Sequence, residues 1–297
     1  MAENTVTPPV GSASSRRKCQ AAVALLLCFG TLGHAVADPP PNGTPAPDTP
    51  PTITIEAQRQ RGQLRAEINQ FVQATIVSPD SADSLLRWDS PVCPLVAGLT
   101  REQGEFVLGR LSAIARDANV PLAGEHCAAN LFVIVAPNPS RFLSLWWDHD
   151  WGMFNTDHGI GGVKHFIEAD SPVRVWYNYI VSAGGGSWSR LKYVNVRAIA
   201  SVIMVIDAQK LAKLNFGQLA DYVSMRSLAE IKPDTDAGGA PSILRLFSEQ
   251  DRSPPQGLTA WDQALLHAVY STNQKDRMQL SEIETATFNQ LVAVPAH

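Results

Sequence analysis

Apolar positions recur along this chain at two spacings, and the two alternate from one end to the other. Leu64, Ile68, Phe71 and Thr75 share one face of a helix, with charged residues on the other face. Thr100-x-x-Gln103 has the form of a capping box, and Val107, Leu111, Ile114 and Ala118 follow as the buried stripe of a helix that Asn119 and Pro121 end. Asn130-LFVIV-Ala136 and Val202-IMV-Ile206 are unbroken apolar runs of strand length, the pattern of strands covered on both faces. Val173, Val175, Tyr177, Tyr179 and Val181 alternate as in a strand, which Gly184-Gly185-Gly186 interrupts.

Shorter signals fill the gaps. Ile53-Thr-Ile55 reads as a short strand. The segment from Leu85 to Ala97 reads as an edge strand, because Pro91 and Pro94 cannot donate to a ladder on both sides. Ser140 to Trp147 predicts a short helix followed by an irregular stretch to Asp170, and Asp207 is placed to cap a short helix. Leu219 to Ile231 is helical in pattern. Thr259-x-x-Asp262 opens a helix with Trp261, Leu265, Ala268 and Val269 inside, and Ser281-x-x-Glu284 predicts the start of a last helix carrying Phe288, Leu291 and Val292. With no internal repeat and with strands and helices interleaved, residues 53–295 are expected to form one layered α+β domain, a mixed β-sheet with packed helices.

The N-terminal 52 residues read differently. Arg16, Arg17 and Lys18 precede a short apolar run, and Ala35-Val36-Ala37 supplies an A-x-A site. This predicts a secretory signal over residues 1–37, cleaved between Ala37 and Asp38, because the run is too short to span a bilayer. Residues 38–52 form a proline-rich linker. No later segment is long and apolar enough to be transmembrane. Loss of the signal takes the net charge from −4 to −6, a poor match to nucleic acid or to an anionic membrane surface. The partner is then expected to be an envelope component or a protein. Cys19 and Cys28 leave with the signal, and Cys93 and Cys127 remain, most simply as one disulfide of an exported, periplasmic or secreted protein.

The densest set of metal-ligand residue types lies between the third helix and the strand at Val173. Asp148, His149, Asp150, Asp157, His158 and His165 fall within one aromatic stretch with Trp146, Trp147 and Trp151. Carboxylates and imidazoles at this density are candidate ligands for a divalent metal, although neighbours at i, i+1 do not converge unaided. No other cofactor is predicted. Gly185-Gly-Ser187-Trp-Ser189 has serine where a nucleophile elbow needs glycine, and Gly159-Ile-Gly161-Gly162 lacks the strand and glycine of a dinucleotide fold. His267 lies among apolar neighbours and reads as a packed or surface histidine.

Pro172-VRVWY-Asn178, Ser201-VIMVI-Asp207, LADYVSMRSLAEI from Leu219, SILRLF from Ser242 and LTAWDQALLHAVY from Leu258, with Cys93-Pro94 and Cys127-x-x-Asn130, resemble the shared blocks of an uncharacterised family of exported proteobacterial proteins. That family in turn resembles zincins in its order of strand, strand, active-site helix, turn and final helix. The resemblance implies a zincin-like layout and makes the helix at Leu219 the counterpart of the zinc helix. There H-E-x-x-H sets two histidines one turn apart with a glutamate base. Here Asp221 and Met225 stand for the histidines and Tyr222 for the glutamate. Asp221 alone is a fit metal ligand, a tyrosine is not a carboxylate base, and a thioether is a poor ligand for zinc. The expectation is therefore an exported zincin-like protein without zincin catalysis, with a binding or envelope-associated role. The alternative is a metal-dependent, peptidase-like hydrolase using Asp148, His149, His158 or His165, with Asp221.

Overall fold

The two apolar runs form the centre of a four-stranded sheet. The computed structural model describes residues 51–80, 83–154, 159–183, 195–212, 214–248, 253–273 and 278–293, with side chains from residue 56 onward. The signal and linker therefore lie outside the described residues. Strands β1 (Pro94–Ala97), β2 (Leu131–Ala136), β3 (Val173–Ala183) and β4 (Asn195–Asp207) are ordered β1-β2-β4-β3. β1 runs parallel to β2 and β2 to β4, whereas β3 is antiparallel to β4, with a register shift at Asn178/Tyr179. The sheet is mixed, and helices pack on it in a single α+β unit.

Strand periodicity splits the interior in two. Val202, Met204 and Ile206 of β4 join Leu131, Val133 and Val135 of β2 in the larger core. Ile203 and Val205 of β4 join Ile134 and Ala136 in a smaller one on the opposite face. Successive side chains on a strand point to opposite faces, so the clusters mark two sides of one sheet. The larger core is covered by α1 (Pro51–Thr75), α2 (Arg101–Asp117), α5 (Phe216–Leu228), α6 (Ala260–Ser271) and α7 (Gln279–Ala293). The smaller is covered by α3 (Pro139–His149) and α4 (Gly159–Glu168). It is largely aromatic: Phe154 packs edge-on to Trp146, Trp147 and Trp176, and Phe166 lies 5.4 Å from Trp176.

The local signals place most elements. Thr100 and Gln103 close the predicted capping box of α2, and the helix predicted to start at Thr259 is α6, where Thr259 and Asp262 form a capping box as well. Asp207 accepts a hydrogen bond from Gln209 N at 2.9 Å and caps a 3-10 turn. Pro94 opens an edge strand, as its missing N–H requires. Cys93 and Cys127 are disulfide-bonded with Cα atoms 6.0 Å apart. The bond fastens the entry of β1 beside that of β2, where Asn130 N and Leu131 N both donate to Cys93 O. Closing a loop of 34 residues stabilises by about 3–4 kcal/mol in the chain-entropy view. Just past β1, Gly98 has φ +82°, and a Cβ there would lie 1.9 Å from Val135 O, so no other residue fits.

Five expectations need correction. Ile53–Ile55 belongs to α1, not to a strand. Of the segment 85–97 only Pro94–Ala97 is a strand, and the part before it makes isolated bridges, Arg87 to Ala198 and Val92 to Leu122. The stretch expected to be irregular up to Asp170 contains α4, whose apolar side chains Val163 and Phe166 complete the small core. β4 begins at Asn195, seven residues before the apolar run. Helix α7 starts at Gln279, so Ser281 lies in its first turn and is not its cap; Glu284 instead accepts a hydrogen bond from Gln73 of α1 at 2.8 Å.

Candidate functional site

Helix α5, the counterpart of the zinc helix in the resemblance, is buried from Gln218 to Leu228. A helix leaves its last four carbonyls without internal partners, and inside a core these need side-chain donors. Three aromatic residues from other elements supply them. Tyr177 of β3 donates from its hydroxyl to Arg226 O (2.6 Å) and Ala229 O (3.0 Å), Trp88 Nε1 donates to Ser227 O (2.8 Å), and the Tyr270 hydroxyl of α6 donates to Leu228 O. Burial pushes the Tyr177 phenol up to about 12, so it remains a donor throughout the physiological range. At the other end Asn215 and Gln218 form a capping box that the sequence reading did not single out.

Asp221 is 2% exposed on this helix, and its carboxylate is fully engaged. Arg110 of α2 grips it with two bonds, Nε to Oδ1 at 2.5 Å and Nη2 to Oδ2 at 3.0 Å, and Leu258 N donates to Oδ2 at 2.6 Å. The hydrogen bond it donates to Asp221 raises the Arg110 guanidinium above its ordinary value. The chain at Gly257 passes so close that a Cβ there would lie 2.8 Å from Asp221 Oδ2. Tyr222 and Met225 are also buried, Tyr222 edge-on to Phe247 at 5.0 Å.

The aromatic stretch lies on the other face of the sheet. Asp148 and His149 end α3, Asp150 follows it, and His165 sits on the exposed side of α4; all four are exposed. Asp157 and His158 lie outside the described residues, as does Gly185-Gly-Ser187-Trp-Ser189. Among the described residues no three His, Cys, Asp or Glu side chains come together as a metal site. Asp221 belongs to the layer across the sheet, so it does not meet Asp148, His149 or His165. The Ala37/Asp38 junction is outside the described residues. No helix among the described residues is long and apolar enough to cross a membrane.

Three clefts stand out among the described residues. One of about 280 Å³ lies between α2, α6 and α7, where Arg110 and His267 face an apolar lining that includes Ile114, Leu258 and Leu291. There His267 Nδ1 is 2.9 Å from Gln290 Nε2. A second, of about 260 Å³, lies between α3 and α4 beside Trp147, Asp148 and Lys164. The third, of about 290 Å³, is the most polar in its residues: Tyr222 and Arg226 of α5 line it with Ser171, Asp234, Asp236 and Ser248, against Leu244 and Phe247. Tyr222 and Arg226 are one turn apart, which puts them on one face of α5, turned away from the face that holds Asp221.

The sequence reading missed Arg110 and Arg226, and it placed Asp262 at the start of a helix without its hold on the preceding turn. Asp262 is buried and accepts from Ser242 Oγ (2.5 Å), Ile243 N (2.9 Å), Thr259 N (2.9 Å) and Thr259 Oγ1 (2.8 Å), so it ties the turn before α6 to that helix. Burial raises its carboxyl despite these bonds. Its capping-box position was the available signal. For Arg226 the signal was a charge inside the apolar pattern of YVSMRSL. Comparison of the chain with family models, curated proteins and solved structures returns no match.

Proposed function

We propose that this chain is an exported, disulfide-bonded, zincin-like domain without zincin catalysis, and that it acts by binding, to an envelope component or to a protein partner. The observation that carries this reading is the state of Asp221. The one residue on α5 fit to ligate a metal is held by Arg110 and by Leu258 N, 2% exposed, and it is buried on the far side of the sheet from the aspartates and histidines of α3 and α4. A buried carboxylate with three good donors is an ion-pair component of the core. Tyr222 and Met225 add neither a general base nor a hard ligand. The Cys93–Cys127 disulfide supports export, since such bonds persist in oxidising compartments.

The test is hydrolysis of protein and peptide substrates by the purified chain, with and without a chelator, beside metal analysis of the same preparation. The expected result is no chelator-sensitive cleavage. Stoichiometric zinc, lost together with cleavage in His149→Ala and His165→Ala, would establish the metal-dependent hydrolase instead.

A further inference from the structure

The cleft beside α5 holds a charge that no carboxylate among the described residues neutralises. Arg226 is 6% exposed, yet its one hydrogen bond runs from Nη1 to the backbone carbonyl of Lys232, at 2.8 Å. Its Nε is shielded from water and has no hydrogen-bond partner, and no carboxylate among the described residues lies within 4.0 Å of the guanidinium. A cation taken this far out of water is costly unless an anion or a full set of acceptors meets it. Asp221, five residues earlier on the same helix, shows how such a charge is met when the protein supplies the partner.

The missing partner is an anion, and the guanidinium fork fits a carboxylate. The rim adds a second requirement. Asp234 and Asp236 line the same cleft, and both are exposed. Asp236 Oδ1 accepts a hydrogen bond from Gly238 N, whereas Asp234, held at φ +52°, makes no hydrogen bond or ion pair among the described residues. Burial raises the Tyr222 phenol, the Arg226 guanidinium draws it part of the way back and the Asp234 carboxylate pushes it up, so both charges reach that hydroxyl. A bare anion entering the cleft would meet Asp234 and Asp236 before it reached Arg226. A molecule with an ammonium next to its carboxylate satisfies both ends. Leu244 and Phe247 offer an apolar wall, and a volume of about 290 Å³ is at the small end of ligand clefts, which run from about 300 Å³ upward.

We propose that this cleft binds a free amino acid, with its carboxylate on Arg226, its ammonium at Asp234 and its side chain along Leu244 and Phe247. The proposal rests on the binding role given above and names its ligand class.

Isothermal titration of the full chain with glycine, leucine, arginine and glutamate tests it, with acetate, methylammonium and inorganic phosphate as single-charge probes. At least one amino acid is expected to bind saturably and at least about tenfold more tightly than any single-charge probe, the gain of a second charged hydrogen bond. Asp234→Asn is exposed and expected to fold, and it should weaken that binding about tenfold. Arg226→Met should abolish it. If Arg226→Met does not fold, Arg226→Lys decides, because a point charge cannot replace the planar fork and binding should again fall about tenfold. Binding of no amino acid, binding of acetate or phosphate as tight as that of the amino acids, or unchanged affinity in Asp234→Asn or Arg226→Lys would overturn the proposal. A chain that binds no amino acid and shows no chelator-sensitive hydrolysis loses this inference and keeps the non-catalytic reading. A chain that hydrolyses loses that reading whatever the titration gives.

Discussion

Asp221 and Arg226 are five residues apart on one buried helix, and their surroundings are opposite. Asp221 meets a bidentate arginine and a backbone N–H, and the chain at Gly257 closes over it. Arg226 meets one backbone carbonyl and opens on a cleft. Burial of a charge therefore does not by itself mark a functional site. The Asp221 corner is finished within the protein, while the Arg226 corner meets no carboxylate among the described residues, which is the opening the proposed ligand would fill.

This contrast predicts a graded set of responses to substitution. The largest belongs to Arg110→Ala, which strands a buried carboxylate. Breaking a fully buried pair costs about 3–5 kcal/mol, and because the Arg110 side chain is 44% exposed the expected loss is about 2–3 kcal/mol in urea unfolding. Tyr177→Phe comes next. It removes the donor to Arg226 O and Ala229 O and should cost about 1–3 kcal/mol, the cost of leaving buried carbonyls unmet. Arg226→Met should be milder still, within about 1 kcal/mol of the parent or more stable, because it trades an unpaired buried cation for apolar volume. A loss as large as that of Arg110→Ala would mean that the protein itself neutralises Arg226 and that the two corners are alike.

The smallest response concerns pH. Burial raises the Glu230 carboxyl, and Arg197, at 3.9 Å, draws it part of the way back. The folded chain then holds a proton on Glu230 at pH values where the unfolded chain has lost it. Its contribution to stability is therefore fully present below the unfolded carboxyl value of about 4.3 and is lost as pH rises through the folded value. Glu230→Gln should flatten that part of the stability profile, measured as the urea midpoint against pH. A steeper profile in the variant would reverse the sign assigned to Glu230.

How much of this was legible beforehand follows from the range of each interaction. The capping box at Thr100, the helix start at Thr259 and the β2 and β4 runs are encoded within a few residues and the structure forms them, whereas of the expected edge strand only Pro94–Ala97 forms. Helix α4 was not legible because GIGGVKHFIE opens with three glycines, poor helix formers, and is held by Val163 and Phe166 against the aromatic core. The early start of β4 was hidden because residues 195–201 lack a continuous apolar run and take their strand form from pairing with β3. Composition drew attention to Asp148, His149 and His165, yet chemistry depends on convergence, and the sheet separates them from Asp221. Arg110 could not be foreseen as the partner of Asp221, since 111 residues separate the two and only the packing of α2 on α5 joins them.

The central claim is that the Asp221 carboxylate of α5 is spent on Arg110. A double-mutant cycle with Arg110→Ala, Asp221→Asn and the combined variant, read by urea unfolding, tests it most directly. The account predicts a coupling of about 2 kcal/mol, with the double variant more stable than the sum of the single losses allows. Additive losses, with a coupling below about 0.5 kcal/mol, would show that Asp221 is not held by Arg110 and would free it for other chemistry.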